Sequence, residues 1–173
     1  GADDVRKIWT ARPGAPDLGT WDNFTPDQST AITNLFNLLG YEVDDYHTST
    51  SNCSDIGSDA TDGDETIGLI NFMKGNDYFD YDGDCVVSEV RDHVMGDVYH
   101  SQLVEVGPPD MNLNFTSFNE EAYHRSTRGY ARFKVEQAKR LNVIYAGANS
   151  GILHAIAAKS GNGFEGGQEV WGF

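Results

Sequence analysis

The chain has 173 residues, 39% hydrophobic and 12% aromatic, which is not the composition of a disordered chain and allows a buried core. Its formal net charge of −15 disfavours nucleic acid and anionic membrane surfaces as partners, and favours cations. The sequence has no run of about 20 apolar residues, so it predicts no membrane-spanning helix.

Residues 1–63 are predicted to contain a strand, a helix and an acidic loop. The strand is Arg6–Ala11, a short run with several β-forming residues. The run Thr25–Gln28 (TPDQ) predicts the start of a helix, with threonine as the N-cap and glutamine completing a capping box. Residues 44–66 are acidic and rich in serine and threonine, which is typical of a surface loop.

Residues 64–109 are predicted to hold a second helix, a candidate calcium loop and a strand. The helix covers Asp64–Lys74, and Gly75 would end it. The strand region covers Gly96–Pro109.

Three aspartates at alternate positions form the strongest candidate for a metal site. Asp80, Asp82 and Asp84 lie in a loop that contains glycine, and a hard cation such as Ca²⁺ needs about six to eight oxygen ligands. In a loop of the EF-hand type that begins at Asp80, Val86 would offer its main-chain carbonyl. Ser88 would offer its side chain or hold a water, so the spacing is compatible with a calcium loop.

The loop departs from the EF-hand pattern at its last ligand. The residue at the glutamate position is Arg91, Glu89 comes too early, and Asp92 follows one residue later. The predicted ligands are Asp80, Asp82, Asp84, Val86, Ser88 and Asp92. The alternative is an acidic solvated turn, although three neighbouring carboxylates repel one another and a cation would relieve that repulsion.

Residues 110–173 are predicted to form a helical connection followed by three strands. Glu120–Asn142 favours helix and is divided at Gly129. Its basic residues are expected to form a solvated face paired with glutamates. The strands, separated by glycine-rich turns, are Val143–Ala146, Ile152–Ala157 and Glu169–Phe173.

The first two of these strands are apolar on both faces apart from His154, so we expect them to be covered on both sides, as in a β-propeller blade. The histidine is expected to be a hydrogen-bonded core residue.

The same stretch resembles a known family. VIYAGANSGILHAI, followed by a glycine-rich turn and EVWGF, resembles the blade signature of PilY-type proteins, which are bacterial type IV pilus biogenesis and pilus-tip adhesin factors. The family's form is close to V-Y-V-G-A-N-D-G-M-L-H-A-F and then G-x-E-x-W-x-F, with Ser150 and Ile152 here replacing its Asp and Met.

A second motif of the family precedes the first. Gly96–Pro109 resembles G-D-I-V-H-S-S-P-V-x-V-G-P-P, with Gln102 and Leu103 in place of the Ser-Pro pair. The resemblance covers residues 64–173 well and 1–63 loosely.

The resemblance implies an exported bacterial protein of the cell surface, associated with pili, with a calcium loop of the DxDxD kind. The family's ligands carry over to Asp80, Asp82 and Asp84 and to the carbonyl of Val86, whereas Ser88 replaces a commonly acidic position. In an exported protein, Cys53 and Cys85 could form a disulfide, and the alternative is two unrelated thiols.

The sequence contains none of the common catalytic motifs. It has no HExxH, GxSxG, P-loop, GxGxxG or CxxCH pattern, and its histidines lack zinc-ligand spacing. His100 and Ser101 are adjacent in a predicted strand, so their side chains point to opposite faces and cannot form a nucleophile–base pair. We therefore expect a non-enzymatic protein.

The predicted fold is mainly β with short helices (α+β), a partial propeller-like blade or two with helical and acidic-loop insertions, in one module over 1–173. Propellers close with about four to eight blades, so we expect a fragment or split subunit. Its strand edges would be covered by pilus subunits or by the remaining propeller chain. The chain begins with Gly1 instead of methionine, which is also what a processed product would show. The lack of a visible leader therefore does not argue against export.

The function expected from these features is a calcium-binding pilus adhesin or assembly factor. Two alternatives remain: a fragment of a quinoprotein-type propeller enzyme, or a generic extracellular calcium-binding interaction module.

Overall fold

The computed structural model describes residues 6–10, 23–39, 62–78, 80–86 and 88–173. These residues form a 3-10 turn, Pro26–Gln28, and the following helices and strands: α1 Ser29–Leu38, α2 Asp62–Lys74, β1 Val104–Val106, α3 Glu121–Thr127, α4 Tyr130–Glu136, β2 Val143–Gly147, β3 Leu153–Ala157 and β4 Glu169–Gly172. The α+β class is confirmed. The "mainly β" part of the prediction is not, because helices occupy more of the described residues than strands do.

The chain divides into two compact units. The first contains the described residues before His100, together with 148–152 and 171–173. The second contains His100–Gly147 and Leu153–Val170. No described helix is long and apolar enough to cross a membrane.

Helices α1 and α2 form the core of the first unit. Ile32 of α1 and Ile70 of α2 are completely buried, and the hydroxyl oxygens of Thr33 and Thr66 lie 2.6 Å apart. The prediction for the end of α2 is confirmed, because the helix ends at Lys74 and is followed by Gly75 with a φ of +114°.

The capping box predicted at Thr25–Gln28 is wrong. The segment forms a 3-10 turn before α1, and the side chain of Thr25 caps no described backbone N–H. Thr25 and Gln28 instead donate side-chain hydrogen bonds to the carboxylate of Asp27, which lowers the pKa of Asp27. The two side chains that the box requires, those of Thr25 and Gln28, thus both hydrogen-bond to Asp27.

The strand predicted at Arg6–Ala11 is reduced to a single bridge. Ile8 pairs with Gly172 in parallel, with hydrogen bonds from the Trp9 amide to the Gly172 carbonyl and from the Gly172 amide to the Lys7 carbonyl, each 2.9 Å. Ala11 lies outside the described residues.

The four strands form one sheet in the order β1-β2-β3-β4, with β1–β2 and β2–β3 antiparallel. The β2–β3 register places Val143 opposite Ala157 and Gly147 opposite Leu153. The last three strands agree with the prediction to within one residue at each end, because glycine-rich turns separate them. At one turn, Gly151 has a φ of +81°.

The prediction that β2 and β3 are covered on both faces is right only in part. Ala146, Ala155 and Ala157 are buried, but Leu153 is 38% exposed. His154 is confirmed as a core histidine, since it is 1% exposed and its Nδ1 lies 2.6 Å from Glu169 Oε1.

Gly129 divides the helical connection as predicted, with a φ of +80° between α3 and α4. The expected pairing with glutamates is seen for two of the basic residues, in the ion pairs Arg125–Glu121 at 3.1 Å and Arg132–Glu136 at 2.6 Å.

Candidate metal centre

The candidate loop lies at the tip of a short hairpin that follows α2. Asn76 and Val90 form an antiparallel bridge. On either side of it, the Asp77 amide donates to the Glu89 carbonyl at 2.9 Å and the Arg91 amide to the Gly75 carbonyl at 3.0 Å. This pairing holds the two ends of the acidic loop together.

The loop backbone turns through left-handed conformations. Asp80, Gly83 and Cys85 have φ values of +48°, +75° and +69°. Cys85 occupies the position that an EF-hand reserves for glycine, and its amide donates to Asp80 Oδ1 at 2.9 Å. The Val86 amide donates to Asp84 Oδ1 at 2.7 Å. Carboxylate–amide hydrogen bonds therefore fix the turn.

The structure brings Asp80, Asp82 and Asp84 together. One carboxylate oxygen from each lies within 4.8 Å of the other two. Calcium–oxygen distances are about 2.3–2.6 Å, so two ligands of one ion lie at most about 5 Å apart. Asp80 is buried and the other two are exposed. This acidic cluster could hold a metal ion.

The other predicted ligands lie around the same loop. Val86 and Ser88 are exposed, and the Ser88 carbonyl is 3.5 Å from the side-chain nitrogen of Asn76. Asp92 is exposed and, in the described part of the chain, belongs to no compact carboxylate group.

Arg91, at the glutamate position of an EF-hand, packs its side chain on Phe72. Its guanidinium lies 3.7 Å above the ring centre of Phe72. It donates to the carbonyls of His93 at 2.9 Å and Val94 at 3.2 Å.

Sequence reasoning missed two carboxylates, those of Asp77 and Glu89. With Asp82 they form a second group whose oxygens lie within 4.8 Å of one another. The hairpin pairing places both residues beside the loop although they are twelve positions apart in the chain. Only a predicted hairpin register could have revealed this group.

The acidic residues perturb one another. The carboxylate of Asp84 raises the pKa of Glu89 above its ordinary value, because like charges disfavour ionisation. Desolvation and the carboxylates of Asp82 and Asp77 act in the same direction. A bound cation would stabilise the ionised form instead.

The predicted disulfide stays a prediction. Cys85 belongs to the loop, and Cys53 lies outside the described residues.

Comparison with known proteins gives one partial match. A 72-residue segment is 40% identical to a protein of Xylella fastidiosa (strain Temecula1 / ATCC 700964) described as a type IV pilus biogenesis factor PilY1 homolog. The match covers 42% of this chain and 6% of that relative. No family profile matches the chain. No solved structure matches it either.

Proposed function

We propose that the chain is a PilY-type, non-enzymatic component of type IV pili, acting at the cell surface as an adhesin or an assembly factor. The observation that carries this proposal is the 40% identity over 72 residues to a type IV pilus biogenesis factor homolog. The chain spans only a small part of that relative, so the role proposed here is that of one module.

The proposed architecture is a propeller blade. A propeller blade is a four-stranded antiparallel sheet, and strands β1–β4 follow one another in chain order across one sheet. The exposed valines of β1 and the exposed Leu153 support neighbouring blades or pilus subunits as partners of this sheet.

The proposed cofactor is Ca²⁺, held by the loop at the tip of the hairpin. Asp80, Asp82 and Asp84 would provide carboxylate oxygens, with the Val86 carbonyl and Ser88 as further ligands. Two observations support this: the carboxylate oxygens are within 4.8 Å of one another, and the left-handed turn at Cys85 matches the glycine position of an EF-hand. Asp92 remains a candidate last ligand.

The pilus role is tested in the organism that encodes the chain. The gene is deleted and restored as wild type, as Asp84→Asn, or as Asp97→Asn. Asp97 is an exposed aspartate of the same unit and is the matched control. We expect deletion to reduce surface pili and the wild-type chain to appear in sheared filaments. Asp97→Asn should restore both, and Asp84→Asn should restore them less well.

Normal piliation after deletion, together with absence of the chain from sheared filaments, would refute the pilus role. If Asp84→Asn and Asp97→Asn restore pili equally well, the pilus role does not depend on calcium binding by the loop.

A further inference from the structure

We propose that Asp77, Asp82 and Glu89 form a second centre for a hard divalent cation, adjacent to the loop and joined to it through Asp82. This goes beyond the calcium loop proposed above, which uses Asp80, Asp82 and Asp84. The second centre can fail while the loop still binds.

The geometry favours two centres over one large site. Each of the two carboxylate groups is compact to within 4.8 Å, and the two groups share only Asp82. Since ligands of one calcium ion lie at most about 5 Å apart, each group fits one ion. A carboxylate has two oxygens, so Asp82 can offer one to each ion.

The buried carboxylate of Asp77 is the independent observation. Asp77 is 4% exposed, and its Oδ2 accepts a hydrogen bond from the Tyr81 amide at 2.9 Å. Its Oδ1 is buried and has no hydrogen-bond partner among the described residues. A buried carboxylate oxygen without a partner is costly, and a cation would compensate it.

The neighbouring cation, Arg91, does not compensate the buried Asp77 Oδ1 by a hydrogen bond. Its Nη1 is also buried without a described hydrogen-bond partner, and its other nitrogens donate to main-chain carbonyls. Asp77, Asp82 and Glu89 line one cavity of about 640 Å³ within the first unit, together with Arg91 and Arg6, so the three carboxylates outnumber the two guanidinium groups. The cavity has room for an ion and for the waters that would complete its coordination.

The decisive measurement is the number of Ca²⁺ ions bound by the full chain, from equilibrium dialysis with radioactive calcium and from calorimetry. We expect two ions for the wild type. Asp77→Asn and Glu89→Gln should each leave one ion, retained by the loop. Asp84→Asn should also leave one, and Asp84→Asn combined with Glu89→Gln should leave none. Asp97→Asn should bind two.

One ion in the wild type would overturn the second centre, as would two ions unaffected by Glu89→Gln. Circular dichroism checks that each variant folds. If Asp77→Asn does not fold, Glu89→Gln decides, because Glu89 is only partly buried. If the wild type binds a single ion, and that ion is lost in Asp84→Asn but kept in Glu89→Gln, calcium binding by the loop still holds. That result refutes only the second centre. Absence of any bound ion would refute both.

Discussion

At the scale of single residues, the alternation of aspartates predicts the acidic loop well. Alternate positions in a tight turn place side chains around one point, and the structure brings Asp80, Asp82 and Asp84 within ligand distance of one another. The contributions of Val86, Ser88 and Asp92 stay predictions.

Calcium affinity should depend more on Asp84, a ligand in the compact group, than on Asp92, the candidate last ligand. Asp84→Asn is expected to weaken calcium binding by the loop about a hundredfold or more, which leaves the loop empty at the calcium concentration that just saturates the wild type, because it removes a carboxylate from the compact group. Asp92→Asn should weaken it less, because Asp92 is exposed and lies outside that group. Titration calorimetry of both variants gives the comparison. An Asp92→Asn loss equal to that of Asp84→Asn would show that the last ligand moves into place when the ion binds.

Asp77 and Glu89 show why the rest of the site was not predictable. Their proximity depends on the register of a hairpin with one bridge pair, Asn76 and Val90. Register is set by strand pairing and turn geometry together, and so short a pairing leaves little pattern in the sequence. The sequence shows how many acidic residues this region has. It does not show that their carboxylates form two separate groups.

At the scale of elements, the predicted ends of helices and turns between strands are confirmed where a glycine marks them. Gly75, Gly129 and Gly151 adopt positive φ values at the ends of helices or in the turn between strands, where sequence reasoning expected breaks. Thr25 is the N-cap of the turn, but its side chain makes no cap hydrogen bond, so the box is not formed. Hydrogen bonds between neighbouring polar side chains, such as that from Gln28 to Asp27, compete with capping and are hard to weigh from propensities.

The packing of α2 against the hairpin depends on Gly68. A Cβ built there would lie 2.2 Å from the Tyr78 ring, so Gly68→Ala must displace that ring. Alanine gains up to about 1 kcal/mol over glycine inside a helix, but displacing the ring costs more, so we expect a net loss of roughly 1 kcal/mol in the free energy of unfolding. The control is Gly68→Ala in a Tyr78→Ala background, where the ring that the new Cβ would meet is absent. Chemical denaturation compares the two backgrounds, and an equal loss in both would contradict the tight contact.

At the scale of the whole molecule, the positions of the last three strands followed from the sequence, but the coverage of the sheet did not. Three apolar runs separated by turns predict neighbouring strands. Whether their faces are covered depends on packing partners that a single sequence does not name. The mainly β part of the expectation is not confirmed for a related reason, since helices occupy more of the described residues than the short strands do.

The exposed valines of β1 lead to a prediction for the isolated chain. Val104 and Val106 are 51% and 36% exposed on a strand at the edge of the sheet. We expect the purified chain to bind a hydrophobic dye or to self-associate, because exposed apolar edges favour both. Val104→Lys should reduce this while changing stability by no more than about 0.5 kcal/mol. A monomeric, cooperatively folding chain without dye binding would contradict the need for a covering partner.

The bridge between Ile8 and Gly172 has a mechanical consequence. The two segments run parallel, so tension applied to the chain before Ile8 and after Gly172 pulls them along their length in opposite directions. Under that shearing load, the two hydrogen bonds that hold Gly172 are stretched together instead of opening one after the other. Trp9 and Phe173, with ring centres 4.8 Å apart, must separate in the same event. This pairing is therefore suited to a protein that bears force along its chain.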